Sequence, residues 1–390
     1  MIRTRMAALA LLLLVLLTGC WNRREMETLG FALATGIDWD EQGEMFEVTV
    51  QLAKPQALSK EAPGGGGVAG QPAYWVFTAR GRTVFEAVRN ITKVAPRKIW
   101  WGHNQVLVLS ESVARRGVLP ALDFTARDGE TRRLFWVLIT PGKARTILSL
   151  EPRSARIGAL GLLELIRARG ATSPSAAVRM HDFTIMLSAP MAATTGVVTA
   201  AERGPGTGPS ADYDLEGAAV FAKDRLIGYL DDVETRGMLW VQGKVKSAII
   251  TVPCQGEPNE LVGLEVVHAS ARIEPRLENG RPAVTVVIGE EANLGDKTCR
   301  ARVETPEGFS RLETAQREKI KSEVDAALRR ARDLGADVFG FGVRIQQEMP
   351  AVWRRVEKDW DRQFRTLPVD LRIEAKVRRQ GLQSGTPPPR

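Results

Sequence analysis

Two periods of apolar and polar residues alternate along this chain, and the switches between them outline its elements. Phe31 to Ile37 reads as a strand and Asp38 to Gly43 as a turn. Phe46, Val48, Val50 and Leu52 then alternate with polar residues, so a half-buried strand returns in a hairpin. Tyr74 to Ala79 is a further strand. Thr83 to Ile91 has a helical stripe of Val84, Phe85, Val88 and Ile91. The short buried strand Val106 to Leu109 precedes a helix over Val113 to Phe124. Leu134 to Thr140 is another strand, stopped by Pro141-Gly142, and Lys143 to Leu150 is helical again. Strand and helix alternate here at crossover spacing, which predicts a partly parallel sheet. Leu160 to Arg169 and Ser173 to Leu187 read as two more helices.

Gly and Pro crowd residues 201–210, which predicts a linker. Beyond it, Gly217–Phe221 and Arg225–Leu230 form a hairpin. Asp231 and Glu234 have capping-box spacing and open a helix through Trp240. Ser247 to Val252 is a strand. Leu264–Leu277 and Ala283–Gly289 form a long hairpin about Asn279-Gly280, a strong turn signal. Leu312, Ile320, Val324, Ala327, Leu328 and Leu334 mark a long amphipathic helix ended by Gly335. Val338 to Phe341 is a short apolar segment, and Trp353, Val356, Trp360 and Phe364 share one face of a further helix. Val369 to Val377 alternates strictly with charged residues, the pattern of a strand with one buried and one wet face. The predicted class is α+β and multidomain. An N-terminal domain over 20–200 has a partly parallel sheet, and a linker spans 201–212. A C-terminal domain over 213–379, divisible into two subdomains, combines a largely antiparallel sheet with long helices. The tail 380–390 is polar and Pro-rich, hence expected to be disordered.

The first nineteen residues stand apart from this pattern. Arg3 and Arg5 make a basic start, and Ala7 to Leu17 an apolar run. Leu17-Thr18-Gly19-Cys20 closes it with the small residue that a signal peptidase needs. The run is shorter than the about 20 apolar residues a membrane helix requires. A cysteine at the cut predicts a lipoprotein, exported and held on the outer membrane face by acyl chains on Cys20. Each buried CH₂ contributes about 0.8 kcal/mol, and stable attachment takes two chains, which a diacyl-modified Cys20 supplies. The competing reading is an ordinary secretory signal with a chance cysteine.

Composition narrows the function further. The chain has 390 residues, 44% of them apolar, enough for two or three domains with a sizeable core. Its net charge of +8 falls to +6 when Arg3 and Arg5 leave with the signal. A modest basic excess outside a membrane suits anionic lipid headgroups. Nucleic acid is disfavoured, because Lys and Arg are interleaved with Asp and Glu. With Cys20 assigned to lipid, Cys254 and Cys299 remain in a compartment that permits disulfides. They are a candidate bridge, against the alternative of two buried thiols that never meet.

Catalytic signatures are missing from the sequence. His103, His181 and His268 make no zinc motif with each other or with a cysteine. No nucleophile elbow or dinucleotide fingerprint occurs. The Gly64–Gly67 run lacks the Lys-Ser/Thr and helix of a phosphate loop, so it reads as a surface loop. His181-Asp182 is either a base–orienter pair or a helix-surface pair, and because an adjacent pair has almost no specificity the helix-surface reading is preferred. Trp100-Trp101-Gly102-His103-Asn104 is either a stacking site or a turn whose aromatics fill core, and the Trp353/Trp360 stripe is core packing or a ligand box. The structural reading is preferred for both. The wet face of the last strand, with Arg372, Lys376 and Arg378, either meets headgroups or a partner or is simply solvated, and the solvated reading is the default. Three classes remain: a subunit of a membrane assembly, a solute-binding lipoprotein, and an exported hydrolase.

Several segments are similar to a known family. Cys20-Trp21-Asn22-Arg23-Arg24-Glu25 resembles the Cys-Trp-Asp-Arg-Arg-Glu opening of the Ger(x)C spore germination lipoproteins, and Gly36-Ile37-Asp38 fits the strand-turn next in that family's pattern. Gly102-His103 with Val106 to Leu109, Ala114-Arg115-Arg116-Gly117 and Leu122 to Asp128 resemble the middle of the family's N-terminal domain. Glu216 to Phe221, Glu234 to Trp240, Ile250 to Cys254, Phe339-Gly340-Phe341-Gly342 and Trp353 to Trp360 resemble its C-terminal region. Asn22 departs from the usual Asp, and the Gly-rich loops are longer than expected. The resemblance implies a mixed α+β fold and the C subunit of a nutrient germinant receptor in the spore inner membrane. Its implied partners are a large membrane subunit and a permease-like membrane subunit. It implies no catalytic residues and no cofactor, and only Cys20 transfers as a site, the point of lipid attachment.

Overall fold

The computed structural model describes residues 28–54, 72–152, 155–168, 175–201, 212–254 and 257–379. The leader with Cys20, the Gly64–Gly67 run, residues 202–211 of the expected linker and the tail 380–390 lie outside them. No helix among the described residues is long and apolar enough to cross a membrane.

Two sheets organise the chain. The first has ten strands: β1 (Leu29–Asp40), β2 (Met45–Ala53), β3 (Tyr74–Gly81), β4 (Lys98–Trp100), β5 (Val106–Ser110), β6 (Trp136–Thr140), β7 (Val178–Arg179), β8 (Ala193–Ala200), β9 (Tyr213–Ala222) and β10 (Arg225–Leu230). Its main path runs β10-β9-β8-β6-β5-β1-β2-β3, with β4 beside β1 and β7 beside β6. β1, β5, β6 and β8 are parallel, joined by crossover helices, and the outer strands are antiparallel. The helices of this half are α1 (Val84–Ile91), α2 (Glu111–Arg116), α3 (Leu119–Arg127), α4 (Ala144–Leu148), α5 (Gly158–Ala168) and α6 (Met180–Ser188). They give the sheet a core on each face.

The second sheet runs β11 (Ile249–Cys254), β12 (Glu257–Glu278), β13 (Arg281–Lys297), β14 (Val369–Arg379). The long β12–β13 hairpin turns at Asn279-Gly280, both at positive φ, as the Asn-Gly signal requires. Between β13 and β14 lie α8 (Pro306–Leu334), α9 (Phe341–Glu348), α10 (Pro350–Val356) and α11 (Trp360–Arg365), with α7 (Asp232–Val241) packed against α8. That crossover makes β14 parallel to β13, while β11 to β13 are antiparallel. One core joins this half to the end of the first sheet, since it includes Ala192, Ala218, Val220 and Leu230.

Local differences from the sequence reading have physical causes. β8 pairs with β9 across residues 202–211, with Ala201 N–H bonded to Asp212 O, so the first sheet continues into residues 213–230. The even positions of β2 are buried as expected, but so are Glu47, Thr49 and Gln51. Helices cover that face too, and Gln51 bonds Leu148 O and Ala159 N–H. The helix expected over 113–124 breaks at Gly117, which has φ +131°. The one expected over 173–187 starts only at Met180, because Val178 and Arg179 pair with β6. The Trp353–Phe364 stripe is split by a 3₁₀ turn at Glu357–Asp359. Phe85 faces out instead of joining its helix's buried stripe.

Candidate functional site

Three buried polar junctions lie under the motifs singled out in the sequence. In the first, Asp38 near the end of β1 accepts the N–H groups of Ala144 (2.8 Å) and Arg145 (2.9 Å), the first turn of α4. A carboxylate at a helix N-terminus is favoured by the helix dipole. Burial raises the Asp38 pKa, against the lowering effect of these two bonds. Gly36 lets α4 approach, because a Cβ there would sit 3.1 Å from that of Ala144.

The second junction locks α7 to α8. Glu323, 1% exposed, takes both a bond from Arg236 Nε (2.8 Å) and one from Trp240 Nε1 (3.0 Å); Arg236 Nη2 also bonds it. Lys319 Nζ lies 3.7 Å away. Hydrogen bonding to Glu323 raises the Arg236 pKa. Between Arg236 and Trp240 stands Gly237, whose added Cβ would lie 2.0 Å from the Glu323 carbonyl oxygen. The expected capping box is present: Asp231 accepts from Glu234 N–H, and Glu234 accepts from Asp231 N–H.

The third junction joins the two halves. Asp337 is fully buried and accepts N–H groups from Phe339 (3.2 Å), Gly340 (2.9 Å), Phe341 (3.1 Å) and Gly342 (2.7 Å), at the start of α9. Burial pushes its pKa up to about 6 in spite of these donors. The same segment rests on the loop before β8: Ala192 N–H bonds Asp337 O at 2.9 Å. Gln242 Nε2 bonds Val338 O at 2.7 Å. Gly340 adopts φ +82°, which favours glycine, and a Cβ on Gly342 would meet Pro190 O at 2.4 Å. The Phe-Gly-Phe-Gly motif is thus the joint between the two halves of the molecule.

Cys254 and Cys299 are paired as a disulfide, with Cα atoms 6.3 Å apart. It ties the end of β11 to the chain just after β13, across the root of β12. Cys20 lies outside the described residues. The three histidines are not brought together: His103 stacks edge-on to Phe31, His181 opens α6 on the surface, and His268 pairs opposite Glu291. Trp101 is buried and packs against Phe124, while Trp353 packs on Trp360, both as core. Among the described residues no group of three or more His, Cys, Asp or Glu is placed to hold a metal. Sequence reasoning missed Asp38, Glu323 and Asp337. A signal was available for Asp38 and Asp337, since each sits in or beside a glycine-containing motif. Glu323 carries none, because it looks like the other charged residues of its helix until Gly237 brings α7 against it.

A cleft of about 480 Å³ separates the halves, lined on one side by Trp136, Val178 and Thr194 and on the other by Leu239, Gln242 and Lys246.

Two family models match the chain: "Spore germination protein N-terminal domain" over residues 22–200 and "Spore germination B3/ GerAC like, C-terminal" over 216–381. Together they take in all three junctions. Spore germination protein KC of Bacillus subtilis (strain 168) is 24% identical, covering 97% of this chain and 96% of its own. Spore germination protein B3 of the same organism is 23% identical, over 94% and 95%. The crystal structure of the GerBC protein superposes with a TM-score of 0.57 at 20% identity, covering 89% of this chain and 98% of that one, so the fold is shared. By both of its halves and by its fold, the chain belongs to the Ger(x)C family of spore germination proteins.

Proposed function

We propose that this protein is the lipoprotein C subunit of a nutrient germinant receptor and that it acts by docking, not by catalysis. The observation that carries this reading is the Leu17-Thr18-Gly19-Cys20 junction, followed at once by a chain of this family. Lipid on Cys20 confines the body to the outer face of the spore inner membrane. Confinement raises its effective concentration beside a large membrane subunit and a permease-like subunit, so weak contacts suffice. Residues 20–200 and 213–379 serve as two domains presented as one rigid body, because β9 and β10 complete the first sheet and Asp337 clamps the joint. Photo-crosslinking from the body in spore membranes tests the reading. Adducts with both membrane subunits are expected, and an unattached protein contradicts it.

A second reading, capture of the germinant between domains, is favoured by the 480 Å³ cleft. Calorimetry of the soluble body against the amino acids and sugars that trigger the spore separates the two. Heat from any of them supports capture, and none supports docking alone.

A further inference from the structure

The two ends of the first sheet differ in how their charges are paired. At one end, the β1–β2 turn carries Asp40, Glu41 and Glu44, and Arg80 pairs there with Asp40 at 3.0 Å and with Glu47 at 2.9 Å. The other end, about 30 Å away for a nine-residue strand, is where the chain enters β1. β4 pairs there in parallel with the first residues of β1, placing Lys98 beside Leu29. Arg97 flanks Gly30, whose added Cβ would lie 3.5 Å from the Arg97 Cβ. Lys93 belongs to the same loop, and Val94 at its tip is 58% exposed. Lys54, at the end of β2, and Arg156, bonded through its carbonyl to Ala73 N–H, continue the edge. Among the described residues, no carboxylate forms an ion pair with Lys93, Arg97 or Lys98. Glu151 lies beside Tyr74 at this end.

Leu29 follows Cys20 by nine residues, a reach of at most about 32 Å. The basic edge therefore lies beside the point where the tether enters the folded body. Arg23 and Arg24 in the tether are offset by Glu25 and Glu27, so the added charge comes from the folded edge.

We infer that the edge formed by Lys54, Lys93, Arg97, Lys98 and Arg156 is a membrane-facing surface that binds anionic lipid headgroups, with Val94 entering the headgroup layer. This rests on the lipid-anchored reading of Cys20 and deepens it. The surface fixes which way the body stands on the bilayer, and hence which face meets the membrane subunits.

The test uses the full mature chain carrying Cys20→Ser, which has no lipid, so its outcome is independent of anchoring. Sedimentation is measured with vesicles of phosphatidylglycerol and phosphatidylcholine and with phosphatidylcholine alone. Binding to the anionic vesicles alone is expected, and it is lost in high salt. Lys93→Glu with Arg97→Glu and Lys98→Glu weakens it at least ~tenfold. Arg354→Glu with Arg355→Glu and Lys358→Glu, a basic set on α10 and the turn after it, leaves it within ~twofold of the parent. Equal binding to both vesicle types, no binding, or equal loss from the two triple variants overturns the assignment. Circular dichroism of each variant confirms that it is folded.

Discussion

Trp360 donates its indole N–H to Oδ2 of Asp337 at 3.2 Å, across twenty-three residues of sequence. That bond adds a side-chain donor to four backbone ones around a single buried carboxylate. Removing the acceptor leaves five N–H groups without it in the core. Asp337→Ala is expected to cost about 3–5 kcal/mol, read by denaturant unfolding. Asp337→Asn keeps one acceptor oxygen and is expected to cost less. A neutral Asp337→Ala would remove the joint from the account of how the two halves hold together.

Glu290 lies on the core face of β13, between Ala269 and Ala375 in register, with neither carboxyl oxygen hydrogen-bonded. Burial, and secondarily Glu291, pushes its pKa up to about 8 from 4.5. The folded state then holds the proton more tightly than the unfolded chain. Its contribution is fully present below pH 4.5 and is lost as pH rises to about 8. Glu290→Met is expected to flatten the stability profile over that window and to gain roughly 2 kcal/mol at its upper end. An unchanged slope in the variant would contradict this.

Gly237 is where α7 and α8 come closest, against the Glu323 backbone. Gly237→Ala is expected to cost about 1–3 kcal/mol by forcing the helices apart. Arg236→Ala, which leaves Glu323 buried with its indole partner and Lys319, is expected to cost about 2–4 kcal/mol, discounted for the partial exposure of Arg236. Thermal melts of the two single variants and the double variant check both. Because the sites adjoin, the double is expected to be less than additive.

The Cys254–Cys299 pair closes a separation of 45 residues. In the chain-entropy model, such a loop is stabilised by about 4 kcal/mol. Thiol labelling of the native, unreduced soluble body is expected to find neither cysteine reactive, and reduction to lower the unfolding midpoint. Two labelled thiols would show that the bridge does not form.

Much of this fold was legible because its signals were local. Asn279-Gly280, the Asp231–Glu234 box and the Gly335 stop each determine backbone within a few residues, and each is where the pattern put it. β8 was not visible: Ala193-Thr194-Thr195-Gly196-Val197-Val198 has no clear alternation, and its pairing with β6 and β9 decides its state. Glu47, Thr49 and Gln51 looked solvent-facing until α4 and α5 covered them, with Gln51 bonded to both helices. The parallel placement of β14 depends on the crossover through α8 to α11, a nonlocal fact. The resemblance motifs were legible as letters but not as chemistry. Asp38 of Gly36-Ile37-Asp38 takes its donors from α4, Arg236 reaches across to Glu323 on α8, and the N–H groups of Phe339-Gly340-Phe341-Gly342 close on Asp337 with Trp360 from farther along the chain.

The central claim is that lipid on Cys20 places a docking subunit at the spore membrane. Spores carrying Cys20→Ala, fractionated and then challenged with nutrient, test it most directly. The account predicts that the protein leaves the membrane fraction and that nutrient germination fails, while germination by a non-nutrient trigger persists. A Cys20→Ala protein that stays with the membrane in spores that germinate normally on nutrient would contradict it.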